Sequence, residues 1–188
     1  GILRALQTEA DEVVATAAAR SVPHVPLCGG DRLYEVYYLP RKLLPVQEEA
    51  LDAQEERVDA EIDRLRERGQ VPAVVSIHSF TPVMNGIERP WHIGILWDRD
   101  PRMPVPAMER LRADARLVVG DNEPYTGKGT EGSTIDRHAV APGLPHLLVE
   151  IRQDLIDTRH GAAEWAGILG EALDEVLADP NLYRIQHF

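Results

Sequence analysis

Ala73-Val74-Val75-Ser76-Ile77-His78 is a short apolar run that follows Pro72 and ends in an imidazole. A run of this length and β-branched content reads as a buried strand. Trp91-His92-Ile93-Gly94-Ile95-Leu96-Trp97, Leu117-Val118-Val119 and Leu147-Leu148-Val149-Glu150-Ile151 read the same way. A helix is expected over 105–114, and a polar, Gly-containing loop over Gly120 to Ser133. Ala162, Trp165, Ala166, Leu169, Leu173 and Val176 describe a closing helix. Upstream, residues 47–68 place Leu51, Val58, Ile62 and Leu65 at helical spacing, and Gly69 suits the position just past a helix end. Further out, a helix is expected over 2–20, where Leu6, Val13, Val14 and Ala17 share a face. Pro23 and Pro26 stop it. A strand is expected over 32–39, closed by Pro40 and Pro45. Strands alternating with helices predict an α/β fold, a single layered domain over 1–188.

Composition narrows the function classes. Lys plus Arg number 20 against 31 Asp plus Glu, a net charge of −11. Such a chain repels phosphate backbones, so no nucleic-acid partner is expected. Hydrophobic residues at 44% and charged residues at 27% supply enough apolar surface for a core and argue against wholesale disorder. The single cysteine, Cys28, excludes an internal disulfide framework and a Cys-rich zinc site. No apolar run approaches the roughly 18 residues of a membrane span. The first residues, Gly1-Ile2-Leu3-Arg4, show neither an initiator Met nor a signal-peptide pattern. The expectation is a cytoplasmic chain, with room for its being part of a longer protein.

Polar residues at the ends of buried strands carry the chemistry, because ligands of α/β sheets gather there. His78 closes the first run. A neutral imidazole there binds a metal, relays a proton, or serves as a hydrogen-bonded core histidine. Glu150 interrupts the last run, where an idle carboxylate is costly. Two readings stand: a buried pair with Arg152, or a general acid/base whose pKa is raised by desolvation. Gly120-Asp121-Asn122-Glu123-Pro124-Tyr125-Thr126-Gly127 collects amide, carboxylate and phenol groups, and equally carries turn chemistry. Arg89-Pro90 would present a guanidinium to a carboxylate ligand. His138 makes no claim by its spacing. Phosphate-binding glycine motifs, Gly-x-Ser-x-Gly and His-Glu-x-x-His are all absent from the sequence.

Taken together, these strings resemble the N-formylglutamate amidohydrolase family. The matching segments are Val75-Ser76-Ile77-His78-Ser79-Phe80-Thr81-Pro82, Arg89-Pro90-Trp91-His92-Ile93-Gly94 and Asp98-Arg99-Asp100-Pro101-Arg102. They continue through Gly120 to Gly127, Arg137-His138, Gly143-Leu144-Pro145-His146 and Glu150-Ile151-Arg152-Gln153-Asp154-Leu155-Ile156. The resemblance covers 45–188 and leaves 1–44 as a divergent or incomplete N-terminal part. It implies a three-layer domain with a mixed central sheet, similar to zinc carboxypeptidases. It also implies metal-dependent hydrolysis of an N-acyl amino acid, with N-formylglutamate giving formate and glutamate. On that analogy His78 is a zinc ligand and Glu150 activates water and protonates the leaving amine. Arg89, Asn122, Tyr125 and Arg152 hold substrate carboxylates or the oxyanion. A site of this kind takes two earlier ligands, a His and a Glu. The sequence has no His-x-x-Glu, and His24 is the only histidine before His78. The alternative is a non-catalytic relative that binds an acidic ligand or a partner protein.

Overall fold

The computed structural model describes residues 45–129 and 133–188, with side chains from Glu55 onward. The expected helix over 2–20, the strand over 32–39 and His24 lie outside the described residues.

The elements run α1 (Pro45–Glu67), β1 (Val74–Phe80), β2 (Val83–Met84), β3 (Ile87–Glu88), β4 (Ile93–Leu96), α2 (Pro104–Arg112), β5 (Val119–Asp121), β6 (His146–Arg152) and α3 (Arg159–Leu177). A π-helical turn spans Asp136–Val140, and short 3-10 turns follow β6 and α3. Each helix ends for a readable reason. At the close of α1, Gly69 N–H donates to Arg66 O and Gln70 N–H to Leu65 O, a paired closure of the last carbonyls. Pro104 opens α2, where a missing N–H costs nothing. The Thr158 hydroxyl caps α3 by accepting from Gly161 N–H at 3.0 Å.

Four strands form one sheet in the order β1-β6-β4-β5. β1 runs parallel to β6, β6 antiparallel to β4, and β4 parallel to β5. The sheet is therefore mixed, as expected. β2 and β3 make a separate hairpin.

Period-2 alternation sorts the side chains by face. Ile77, Ile93, Ile95, Leu147, Val149 and Ile151 point to one face and pack with Met103, Met108, Leu111, Trp165, Leu169 and Leu173 of the α2–α3 layer. Each such buried side chain contributes about 1.5–3 kcal/mol of hydrophobic stabilisation. On the other face, Val74 and Leu148 pack with Val58 and Ile62 of α1, with Ile135 and Ala139 at the start of and within the π-helical turn, and with Leu144. Helices thus cover both faces, giving three layers. On the second face α1 packs near Val74 at the start of β1 and Leu148 of β6, and His78 and Glu150 follow further along those strands.

A polar tie fastens α1 to the π-helical turn. His138 is buried between two carboxylates, Nδ1 at 2.9 Å from Asp59 and Nε2 at 2.7 Å from Glu55. Thr134 donates to Glu55 at 2.6 Å, and Arg137 reaches Asp59 at 3.1 Å. His138 thus has a structural task that its spacing did not reveal. No described helix is long and apolar enough to cross a membrane.

Candidate functional site

The sheet register aligns one row of residues: His78 on β1, Glu150 on β6, Gly94 on β4 and Gly120 on β5. Paired residues share a face, so all four sit on the face opposite the α2–α3 layer. Two of them have no side chain, and a loop occupies the space this leaves. A β-carbon on Gly120 would lie 2.8 Å from Glu123 O, and one on Gly94 would overlap that same carbonyl. The Asn122–Gly127 loop therefore rests directly on the sheet beside Glu150.

Glu150 is 7% exposed, and its Oε2 has no hydrogen-bond partner. Burial pushes its pKa up to about 7, against the opposing pull of the Arg89 charge. An unpaired buried carboxyl that titrates near neutrality is suited to taking and giving a proton. The alternative pairing with Arg152 does not form. Arg152 Nε donates to Asp154 at 2.7 Å and Nη2 donates to the other carboxylate oxygen at 3.2 Å. Its Nη1 faces the carbonyls of Arg89, Pro90 and Trp91 at 3.5, 3.3 and 3.4 Å. Arg152 thus holds the segment that delivers Arg89.

His78, next to Glu150 across the strand pair, is exposed. Its Nε2 shares a hydrogen bond of 2.9 Å with the Ser76 hydroxyl, two residues back on the same face. The desolvation it does experience pushes its pKa down, which favours the neutral imidazole. It is not a packed core histidine.

Arg89 is buried. It lies 5.9 Å from the Phe80 ring centre and 5.0 Å from that of Tyr125. Its Nη1 donates to the Tyr125 hydroxyl at 3.0 Å, and Nη2 donates to Met84 Sδ. The structure therefore brings Glu150, His78, Arg89 and Tyr125 to one corner.

Asn122 has a different task. Its Oδ1 accepts from Trp97 N–H at 3.0 Å and Gly127 N–H at 2.8 Å, and its backbone φ is 55°. Asn tolerates this left-handed conformation better than most residues. The side chain ties the two ends of the loop together.

Among the described residues, no three His, Cys, Asp or Glu side chains stand close enough to hold a metal ion. His78 and Glu150 do not amount to the three protein ligands of a catalytic zinc site. The described residues do not fit that centre.

Two features escaped the sequence reading: the β2–β3 hairpin and the glycine row. The hairpin signal was Asn85-Gly86 between Val83-Met84 and Ile87-Glu88. Gly94 inside an apolar strand marked a close backbone approach.

The family model described as N-formylglutamate amidohydrolase matches residues 54–157. The crystal structure of the gene product Atu2144 from Agrobacterium tumefaciens is similar, at 36% identity and a TM-score of 0.58. That alignment covers 65% of this chain and 50% of the Agrobacterium chain, so the match spans half of its relative. None of the curated proteins matches.

Proposed function

The chain belongs to the N-formylglutamate amidohydrolase family, and on that premise we propose that it hydrolyses the amide bond of an N-acyl amino acid. The observation that carries the proposal is Glu150, a buried carboxyl with an unpartnered oxygen and a pKa of about 7.

In the proposed reaction, ionised Glu150 takes a proton from a water molecule, whose oxygen attacks the acyl carbon. The tetrahedral intermediate collapses, the carbon–nitrogen bond breaks, and Glu150 returns the proton to the departing nitrogen. The products are a carboxylic acid and a free amino acid. Arg89 supplies a fixed positive charge for the substrate carboxylate, with Tyr125 holding the guanidinium in place. Asn122 and Arg152 act by positioning the loop and the Arg89 segment. Zinc is part of the proposal only through His78, one ligand where a catalytic site uses three.

N-formylglutamate is the first substrate to test, with formate release by the purified chain as the readout. Formate release that disappears in Glu150→Gln supports the reading. Binding of N-formylglutamate without formate release would leave a ligand-binding relative instead.

A further inference from the structure

Ser76 and His78 stand two residues apart on β1, so alternation puts both on the face that carries Glu150. Ile77 between them is buried in the core, which fixes the backbone from which both project. The Ser76 hydroxyl lies 2.9 Å from His78 Nε2, and among the described residues it is the hydrogen-bond partner of that ring. The bond matters because His78 is exposed. An exposed imidazole that nothing holds samples several rotamers and both neutral tautomers. A hydroxyl at one nitrogen selects the rotamer and decides which nitrogen carries the proton. The serine oxygen has two lone pairs and accepts readily from an imidazole N–H. A proton on Nδ1 instead would put a donor on the strand position next to Glu150, yet Glu150 Oε2 accepts from none.

We propose that Ser76 is a positioning residue: it accepts a hydrogen bond from His78 Nε2–H and so leaves Nδ1 as a bare lone pair at the strand position next to Glu150. This rests on the hydrolytic reading above. The register sets His78 against Glu150, so the lone pair is offered at the corner where Glu150 handles the attacking water. What it meets there is a hydrogen of that water or a cation; both use a lone pair, and neither can use an N–H. Proton transfer itself stays with Glu150. Ser76 acts only through His78, by holding its ring in one rotamer and one tautomer.

The test uses the full chain with nitrogen-15-labelled histidine at pH 8, where a ring whose pKa is pushed down is neutral. His78→Asn assigns the ring signals. Wild type should show a protonated Nε2 and a bare Nδ1. Ser76→Ala should populate both tautomers. Its kcat for formate release from N-formyl-L-glutamate should fall about ten- to a hundredfold, with KM and melting temperature near wild type. Ser76→Thr keeps the hydroxyl on a residue that suits a strand, and should recover both the ring pattern and kcat. Turnover repeated after dialysis against a chelator identifies what the lone pair meets. A Ser76→Ala loss of the same size assigns it to water, and a loss that vanishes with the metal assigns it to a cation. A wild-type ring protonated on Nδ1, or a Ser76→Ala ring with the wild-type pattern, overturns the proposal. So does a kcat loss that threonine does not recover. Absence of formate release from wild type overturns the hydrolytic reading, and the ring spectra then decide by themselves whether Ser76 sets the tautomer.

Discussion

The carbonyl oxygen of Glu123 lies 1.9 Å from the point where a β-carbon on Gly94 would stand. The loop beside Glu150 is therefore seated on the sheet because position 94, like position 120, carries no side chain. Gly94→Ala should lift the loop and destabilise the fold by about 1–3 kcal/mol. The Trp97 indole N–H, which donates to Asp121 at 2.8 Å, reports the loop. Its NMR signal should move in the variant, and turnover should fall although Glu150 is untouched. An unmoved indole signal with a wild-type melting temperature would refute this account of the loop.

Glu150→Gln keeps the side-chain shape and removes the proton shuttle. Turnover should fall by roughly two to four orders of magnitude with little change in substrate binding. Wild-type turnover should rise with pH through about 7, as Glu150 ionises. Stability runs the opposite way. The folded pKa of about 7 stands above the ordinary 4.5, so the folded state holds its proton more tightly. That contribution is whole below the ordinary value and is lost as pH rises to about 7. The Gln variant lacks this loss, so its stability relative to wild type should climb across the window, by on the order of 3 kcal/mol. Melting curves between pH 4 and 8 that stay parallel would exclude a raised Glu150 pKa.

Asn122 separates positioning from contact. Asn122→Ala removes the acceptor for two backbone N–H groups and strains a left-handed residue. A stability loss of about 2–3 kcal/mol is expected, with kcat and KM both worsened through the loop. A variant with unchanged melting and only a raised KM would instead make Asn122 a substrate contact.

The two arginines should respond differently to replacement by Lys, which cannot copy a forked donor. Arg89→Lys should raise KM for N-acyl amino acids while an amide substrate without the α-carboxylate is little affected. Arg152→Lys should lower the melting temperature, because the fork to Asp154 and the carbonyls of 89–91 is lost. Equal kinetic effects at both positions, with no stability change at Arg152, would remove this division of labour.

His78 carries the metal expectation. If it is a zinc ligand, His78→Ala should lose bound zinc while the metal-free protein melts near the wild-type temperature. Elemental analysis of both purified proteins decides the point. A folded variant with wild-type zinc content removes His78 from the ligand set.

Much of the fold was legible in the sequence because burial and periodicity leave a direct trace. The apolar runs at 73–78 and 147–151 became β1 and β6, and the spacing of Leu51, Val58, Ile62 and Leu65 became α1. β5 differs: it spans Val119–Asp121, not 117–119, because its pairing partners are Ile93 to Ile95 of β4. The hairpin at 83–88 was missed because two-residue strands have no periodicity to read.

Candidate residues were legible for a related reason. A carboxylate or imidazole inside an apolar run is visible as an exception to its neighbours. What the sequence by itself determined is that Glu150 and His78 stand in buried strands, where a carboxylate or an imidazole needs a partner or a task. The tertiary structure decided which partners they have. Register set His78 and Gly94 on either side of Glu150, although they lie 72 and 56 residues away in the chain. Arg152, the cation nearest in sequence, turned to Asp154, whereas Arg89 arrived by way of a hairpin. Sequence distance does not report such choices, because a strand fixes only which face a side chain occupies and not where a long guanidinium finds its acceptors.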